Sequence, residues 1–264
     1  VRVALSIAGS DPTGGAGLQA DLQVFRALGV HGTGAVTALT VQDTAKIHQV
    51  LPAFPNVVLD QIRVLLRDIT PHAVKIGMLA GDDGVRAVAL GLAELEAPPA
   101  GPPLVIDPVL AASDGTPLLE RRALPALAEL CARAALVTPN LAEAEALTGI
   151  DVATRAGVEA AARALVEELG AGAGLVTGGH AEGAPDDCLA LREGSGVALR
   201  WLPGERIAAG AVHGTGCALA SAAAAHLALG RDLLGAVAAA RAFVADSLRR
   251  AEAVGSGARL LGLA

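Results

Sequence analysis

Short apolar runs bounded by glycine, proline or aspartate alternate along this chain with longer stretches of helical periodicity, and no other feature constrains the fold as much. Runs that stay apolar at consecutive positions read as strands buried on both faces, the pattern of a parallel sheet covered by helices on either side. The spacing predicts strands at Val3 to Ala8, Gly34 to Val41, Ala73 to Ile76, Leu104 to Ile106, Leu136 to Val137 and Gly174 to Val176. The segments between them are long enough for crossover helices, expected at Gly17 to Leu28, Asn56 to Asp68, Asp82 to Leu95, Leu141 to Leu147 and Val158 to Leu169. After Thr177 the rhythm changes, and Cys188 to Arg192 and Val197 to Leu202 read as antiparallel edge strands around the turn Glu193-Gly194-Ser195-Gly196. Two alanine-rich helices follow, Gly216 to Leu229 and Leu233 to Ala251. The expected fold class is therefore α/β in three layers, a central mostly parallel sheet with helices on both faces and a small antiparallel edge. Residues 1 to 264 read as one domain, with Glu96 to Pro103 as a surface loop inside it.

Composition removes several classes of function. A net charge of -7 without a basic run argues against a nucleic-acid surface, and the absence of tyrosine with 2% aromatics removes base-stacking platforms. No apolar stretch approaches the roughly 20 residues that span a bilayer, so no membrane partner is expected. Val1 to Ala8 reads as a strand rather than an export leader, and the expected compartment is the cytoplasm. The three cysteines, Cys131, Cys188 and Cys217, form no Cys-x-x-Cys pair and read as free thiols.

In parallel α/β sheets ligands sit beyond the carboxyl ends of the strands, so the residues after each apolar run carry the function. The first loop, Gly9 to Gly17, lacks the Lys-Ser/Thr of a phosphate loop and stands too far from its strand end for a dinucleotide turn. Its glycines let backbone amides approach a ligand closely. Gly214-Thr215-Gly216-Cys217 opens a small-residue helix, and successive amides there, with the helix dipole, can stabilise charge on a transferring phosphoryl group. The same field is expected to lower the Cys217 pKa and fit it to act as a base, against the ordinary reading of a small buried residue at a helix start. Asp107, Asn140 and Glu143 are oxygen-bearing groups at neighbouring strand ends, suited to a hydrated Mg²⁺. Asn140 and Glu143 equally satisfy the spacing of a helix capping box.

Seven segments in order, Ala8-Gly-Ser-Asp-Pro-Thr-Gly-Gly-Ala-Gly-Leu-Gln-Ala-Asp21, Thr37-Ala-Leu-Thr-Val-Gln-Asp-Thr44, Lys75-Ile-Gly-Met-Leu79, Asp107-Pro-Val, Thr138-Pro-Asn-Leu-Ala-Glu143, Gly178-Gly-His180 and His213-Gly-Thr-Gly-Cys217, resemble the hydroxymethylpyrimidine kinase / phosphomethylpyrimidine kinase family of thiamine biosynthesis. The resemblance implies a ribokinase-like fold, ATP and Mg²⁺ as cofactors, two successive phosphoryl transfers to a small-molecule pyrimidine, and a homodimer. It places the pyrimidine against Gly9, Asp21, Gln42, Met78 and Val109, and the nucleotide and its phosphates near Lys75, Asn140, Thr177 and Gly179. It assigns Mg²⁺ to Asp107 and Glu143, the catalytic base to Cys217, and the anion hole to Gly214, Thr215 and Gly216. A Gln amide suits the substrate, because an aminopyrimidine offers an exocyclic donor beside a ring-nitrogen acceptor.

Two departures stand out. The family often carries Lys where this chain has Thr177, and Lys in the loop Ala111-Ala112-Ser113-Asp114, so two phosphate-neutralising charges are missing. Pyridoxal or pyridoxine kinase on the same scaffold is the nearest alternative. A cysteine hydrolase using Cys217 with His213 lacks an orienting third residue, and a non-catalytic vitamin-binding protein would keep the pocket without turnover.

Overall fold

The computed structural model describes residues 1–95, 100–112, 115–179, 183–194 and 196–263. Residues 96–99 of the expected Pro/Gly loop, Ser113 and Asp114, His180, and Ser195 of the expected turn lie outside the described residues. In chain order the elements are β1 Val3–Ser10, α1 Gly17–Ala27, β2 His31–Gln42, β3 Ile47–Pro52, α2 Pro55–Asp68, β4 Ala73–Ile76, α3 Asp82–Gly91, β5 Leu104–Ile106, α4 Leu124–Cys131, β6 Leu136–Val137, α5 Leu141–Thr148, α6 Arg155–Glu167, β7 Ala173–Val176, β8 Asp187–Glu193, β9 Gly196–Leu202, β10 Val212–His213, α7 Thr215–Ala228, α8 Leu233–Arg249 and β11 Arg259–Leu260.

Nine strands form one sheet in the order β3-β2-β1-β4-β5-β6-β7-β8-β9, while β10 and β11 pair separately. From β2 to β7 the neighbours run parallel; β3 closes one end antiparallel to β2, and β8 and β9 close the other. Alternation along the buried strands assigns each face its helices. Ala73 of β4, Val105 of β5 and Leu136 of β6 pack with α1, α7 and α8, whereas Val74, Ile76 and Ile106 pack with α2, α3 and α4. At the far end Val176, Cys188 and Ala190 meet α5 and α6. Helix α7 is buried on most sides because its alanines let it lie close to the sheet and α8 at once.

Besides adding α4, β10 and β11 to the expected elements, the structure departs from the pattern-based expectations at β3 and β8. β3 does not alternate cleanly, reading Ile-His-Gln-Val-Leu-Pro, and forms because the β2 backbone supplies its ladder from Ala38 to Gln42. The segment Cys188–Arg192 is not an edge strand: β8 lies between β7 and β9, and only β9 is outermost. Its run of buried residues from Asp187 to Leu191 matches that interior place. Where β3 stops short of the first half of β2, Gln61 replaces it. The Gln61 amide accepts from the Val36 N–H at 3.0 Å and donates to the Val36 carbonyl at 3.1 Å.

One charged pair lies at the centre of the layers. Lys75 of β4 and Asp21 of α1 are fully buried, with Lys75 Nζ donating at 2.9 Å to each carboxylate oxygen. Ser6 of β1 and Ser221 of α7 also donate to Asp21, at 2.5 and 2.6 Å, so four elements meet at one carboxylate. Burial alone would pull the Lys75 pKa down, but the Asp21 carboxylate, with Asp107 farther off, holds it above its ordinary value. Removing one member strands the other: Asp21→Ala is expected to lower stability by about 3–5 kcal/mol in urea unfolding, and the joint Asp21→Leu, Lys75→Met variant to recover much of it. A loss in the single variant no larger than that of an exposed ion pair would contradict this account.

Candidate active site

The carboxyl ends of β1, β2, β4, β5, β6 and β7 open on one rim, and strand order fixes what stands beside what. The chain winds one way from β1 to β2 and the other way from β4 onward, so the β1–β4 boundary is the topological switch point where α/β folds bind ligands. Helix α7 packs on β1, β4 and β5 and brings its N-terminus to that crevice.

On the β2 side, Gly9 and Met78 touch across β1 and β4. A Cβ on Gly9 would stand 2.4 Å from Met78 Cε, so glycine is needed for the methionine to lie where it does. Thr37 fixes the Met78 backbone through its hydroxyl, which donates to the Met78 carbonyl at 2.5 Å. Gln42 ends β2 half-buried, with its amide 3.2 Å from His213 Nε2 and 3.2 Å from the Thr40 hydroxyl. His213 Nε2 also lies 2.9 Å from Asp11 Oδ2. Asp11 organises the glycine loop, accepting from Thr13 N, Thr13 Oγ1 and Ala16 N at 2.8 to 3.0 Å. Burial opposes its ionisation, but these bonds and His213 win and hold it below the ordinary carboxylate range. The segment after α8 clasps this side: Ala258 N donates to the Thr44 carbonyl at 2.8 Å, and β11 pairs with β10 directly before Gly214.

In the middle, Cys217 lies near Lys75 and within hydrogen-bonding reach of Asp107, and the Gly17 N–H also points at its sulfur. Gly214 takes φ 85°, and a Cβ there would stand 1.8 Å from the Gly15 carbonyl, so only glycine lets the α7 turn pass the first loop. Gly216 is exposed and its Cα faces Asp107, with a Cβ at 3.9 Å from either carboxylate oxygen. Thr215 begins the helix beside it. The expected lowering of the Cys217 pKa is not what this setting produces. Loss of water around the sulfur, with Asp107 and Asp21 nearby, pushes the thiol up to about 12 against Lys75 and the Gly17 N–H.

Toward β6 and β7, Asn140 and Glu143 form a reciprocal capping box on α5: Glu143 N donates to Asn140 Oδ1 at 3.0 Å and Asn140 N to Glu143 Oε2 at 2.9 Å. Burial and the Asp107 charge raise the Glu143 pKa to about 8. Thr177 pairs with Asn140 across the strand ends, and its N–H donates to Pro139. Gly179 is exposed, its carbonyl accepting from Arg206 Nη1 at 3.3 Å. Val109 follows Asp107 at the rim, half-buried. Among the described residues no three His, Cys, Asp or Glu are grouped to hold a metal.

The structure thus joins Gly9 with Met78, Asp21 with Lys75 and Cys217, Asp107 with Cys217 and Glu143, and Asn140 with Thr177. It leaves Asp21 and Lys75 beneath the rim, where each already satisfies the other. Two further groups escape a pattern-based reading. His213 turns from Cys217 toward Gln42 and Asp11. Arg241 of α8 donates to Asp187 Oδ2 at 2.7 Å, while Asp187 Oδ1 accepts from Gly178 N at 2.9 Å, so α8 holds the Gly178 turn. For His213 its place between two glycines and a strand end was a usable signal; for Arg241 there was none.

The thiol sets a pH prediction. A proton bound three units more tightly than at the ordinary value of 9.0 leaves about a thousandfold less thiolate near neutrality. Cys131 and Cys188 are buried, so alkylation of the native chain reads Cys217. Its rate is expected to stay low at neutral pH and climb only toward pH 12; a plateau reached below pH 9 would show a depressed pKa instead.

Comparison with known proteins agrees with this geometry. A family model described as phosphomethylpyrimidine kinase matches residues 11–261. The hydroxymethylpyrimidine/phosphomethylpyrimidine kinase of Synechococcus elongatus is 38% identical over 99% of this chain and 97% of its own length. Among solved structures, an ADP complex of Bacillus subtilis pyridoxal kinase superposes with a TM-score of 0.87 at 31% identity, over 99% of this chain and 96% of that one. Phosphomethylpyrimidine kinase from Clostridium difficile 630 does so with a TM-score of 0.81 at 32% identity, over 94% and 100%. A family match across nearly the whole chain, on a rim with the motif residues in these places, makes this chain a member of the phosphomethylpyrimidine kinase family, with the ribokinase-like fold.

Proposed function

We propose that this chain transfers a phosphoryl group from ATP to the hydroxymethyl oxygen of 4-amino-5-hydroxymethyl-2-methylpyrimidine, and a second to the resulting monophosphate. The observation that carries this reading is the α7 N-terminus with Gly216 and Cys217 facing Asp107 at the switch point. The strand order puts Gly9, Gln42 and Met78 on one side of that centre and Asn140, Thr177 and Gly179 on the other. The pyrimidine occupies the first side, walled by Val109, and the nucleotide the second.

In the first transfer the substrate oxygen attacks the γ-phosphorus, the bond to the β-phosphate oxygen breaks, and ADP leaves. The alcohol proton needs an acceptor, and a thiol that already carries its proton cannot be one alone. Cys217 acts with Asp107: the sulfur takes the alcohol proton as the carboxylate takes the thiol proton. Asp107, within hydrogen-bonding reach of the thiol, is the carboxylate placed to receive that proton. Backbone amides of Gly214, Thr215 and Gly216 face the charge that develops on the phosphoryl oxygens.

Asp107 and Glu143 fit a hard divalent cation. They are two carboxylates whose charges oppose each other's ionisation, and Mg²⁺ binds through one or two carboxylates with water and phosphate completing its shell. When bound, Mg²⁺ supplies neutralising charge to the phosphates. The rest falls to the chain, which aligns the alcohol, excludes water and moves one proton. Lys75 acts from below, through its field on Cys217 and Asp107.

The fold match to a pyridoxal kinase favours pyridoxine as a second substrate. Gln42 argues for the pyrimidine, because pyridoxine has no exocyclic amine for the amide oxygen and an unpaired polar group costs roughly 1–3 kcal/mol. No described helix is long and apolar enough to cross a membrane, and an ATP-consuming transfer of this kind is read as a cytoplasmic reaction. A homodimer would cover Leu39, Val41 and Leu51 of β2 and β3, which are 54%, 49% and 43% exposed on neighbouring strands. Sedimentation should then give a dimer that Leu39→Lys with Leu51→Lys converts to monomer; a wild-type monomer would reject it.

Incubation with ATP, Mg²⁺ and either alcohol, counting phosphates on the product, tests the main reading: mono- then diphosphate from the pyrimidine is expected. Preference for pyridoxine would overturn it. A phosphate oxygen is already ionised, so Cys217→Ala should slow the first transfer far more than the second in single-turnover assays. Equal losses would remove Cys217 from the proton path.

A further inference from the structure

His213 stands at a contact that the phosphoryl-transfer chemistry does not use. Its Nε2 lies 2.9 Å from Asp11 Oδ2 and 3.2 Å from the Gln42 amide, and its side chain is 16% exposed. Asp11 is ionised at neutral pH and can only accept, so Nε2 must carry the proton. A protonated Nε2 cannot accept from an amide N–H, so the Gln42 group that faces it is the oxygen. The Thr40 hydroxyl has one proton, which goes to the Ser10 carbonyl at 3.0 Å, leaving its oxygen to accept. The Gln42 group beside Thr40 is therefore the nitrogen, the amide turned half round from the orientation drawn in the structure, where Nε2 faces His213 and Oε1 faces Thr40. Amide oxygen and nitrogen are interchangeable in shape, and the turned arrangement, with the one Nε2 proton shared between Asp11 and Gln42, sets no donor against a donor.

We propose that His213 is a positioning residue that, with Thr40, locks the Gln42 amide in one direction and thereby makes the site selective for a 4-aminopyrimidine over its 4-oxo counterpart. The proposal rests on the pyrimidine reading above and deepens it. A free glutamine amide serves both heterocycles by rotating half a turn: the amino compound presents a donor beside an acceptor, the oxo compound an acceptor beside a donor. Locked, Oε1 accepts from the exocyclic amine on the His213 side and Nε2 donates to the ring nitrogen on the Thr40 side. The oxo compound would then set acceptor against acceptor and donor against donor, or force the amide round against the His213 proton. The His213 ring is itself held, because it packs on Gly15, where a Cβ would stand 2.8 Å from Cδ2. Asp11 thus carries the state of the glycine loop through His213 to the residue that reads the ring.

The test pairs a spectroscopic readout with kinetics. In ¹⁵N-histidine protein at mildly alkaline pH, His213 Nε2 should resonate as a protonated, pyrrole-like nitrogen; an unprotonated Nε2 would overturn the lock whatever the substrate. Wild type should prefer the amino over the oxo pyrimidine by about 100-fold or more in kcat/KM, the discrimination of a site with committed polar groups. His213→Leu should bring that preference to within about tenfold, mainly through a lower KM for the oxo compound. His213→Gln, which can place an N–H near the lost one, should keep most of it. An unchanged preference in a folded His213→Leu protein would refute the proposal. Turnover of neither pyrimidine by wild type would remove the substrate reading and the selectivity together.

Discussion

The buried pair of Lys75 and Asp21 is the constraint on which the rest of the site depends. Taking two charges out of water costs several kcal/mol each, and the cost is offset only by a geometry in which every lone pair and proton is used. Here the two Lys75 contacts and the hydroxyls of Ser6 and Ser221 occupy the carboxylate. Those groups come from β4, β1 and α7, while the carboxylate comes from α1. Any slip of α7 along the sheet would take the Ser221 hydroxyl from the carboxylate and leave a buried lone pair unmet, which holds the helix in register. The same ammonium lies close enough to Cys217 and Asp107 to act on both. The pair that fixes the position of α7 therefore also sets the field at its first turn.

Strand order turns that fixed point into a division of labour. With β1 and β2 on one side of β4 and β5, and β6 and β7 on the other, the residues proposed to read the ring and those proposed to face the nucleotide stand apart. Asp107, at the end of β5, is the residue in touch with both halves, through Cys217 on one side and Glu143 on the other. The segment following α8 adds a second tie, since it binds the β2–β3 turn at Thr44 and pairs with the strand that ends in His213. Closure of the ring-binding side is thus linked to the start of α7 by covalent continuity as well as by hydrogen bonds.

Much of this was legible in the residues. The buried strands announced themselves as apolar runs, and the capping box at Asn140 and Glu143 formed as its spacing required. The order of motifs placed the rim residues correctly at strand ends. What sequence could not show was depth. The resemblance set Asp21 against the pyrimidine and Lys75 near the phosphates, and only three-dimensional packing reveals that they face each other beneath the rim. The charge state of Cys217 failed for a related reason. The sequence showed the helix start but neither the burial nor the two carboxylates beside the sulfur, which together outweigh Lys75 and the Gly17 N–H. β3 and Arg241 were missed because neither carries a local pattern: one borrows its ladder, the other acts across the fold.

The missing lysines at Thr177 and in the loop around Ala112 pose a question of charge that the geometry answers in part. A transferring phosphoryl group concentrates negative charge, and lysine ammoniums are one common way to meet it. Lys75 is spent on Asp21. Arg241 is committed to Asp187 and to the carbonyls of Leu202 and Pro203 at 2.9 Å. Arg206 does bring a guanidinium to Gly179, held there by the loop's own carbonyls. On the proposed reading the positive potential at the centre comes chiefly from oriented backbone amides at Gly214 to Gly216 and from a Mg²⁺ ion held by Asp107 and Glu143. The amides' share is built into the fold. A lysine has to leave water and lose side-chain freedom each time it meets a phosphate, whereas an amide at a fixed helix start pays that cost once, on folding. The Ser221 bond to the buried pair holds α7 where, on the proposed reading, its first turn stands in for the two lysines.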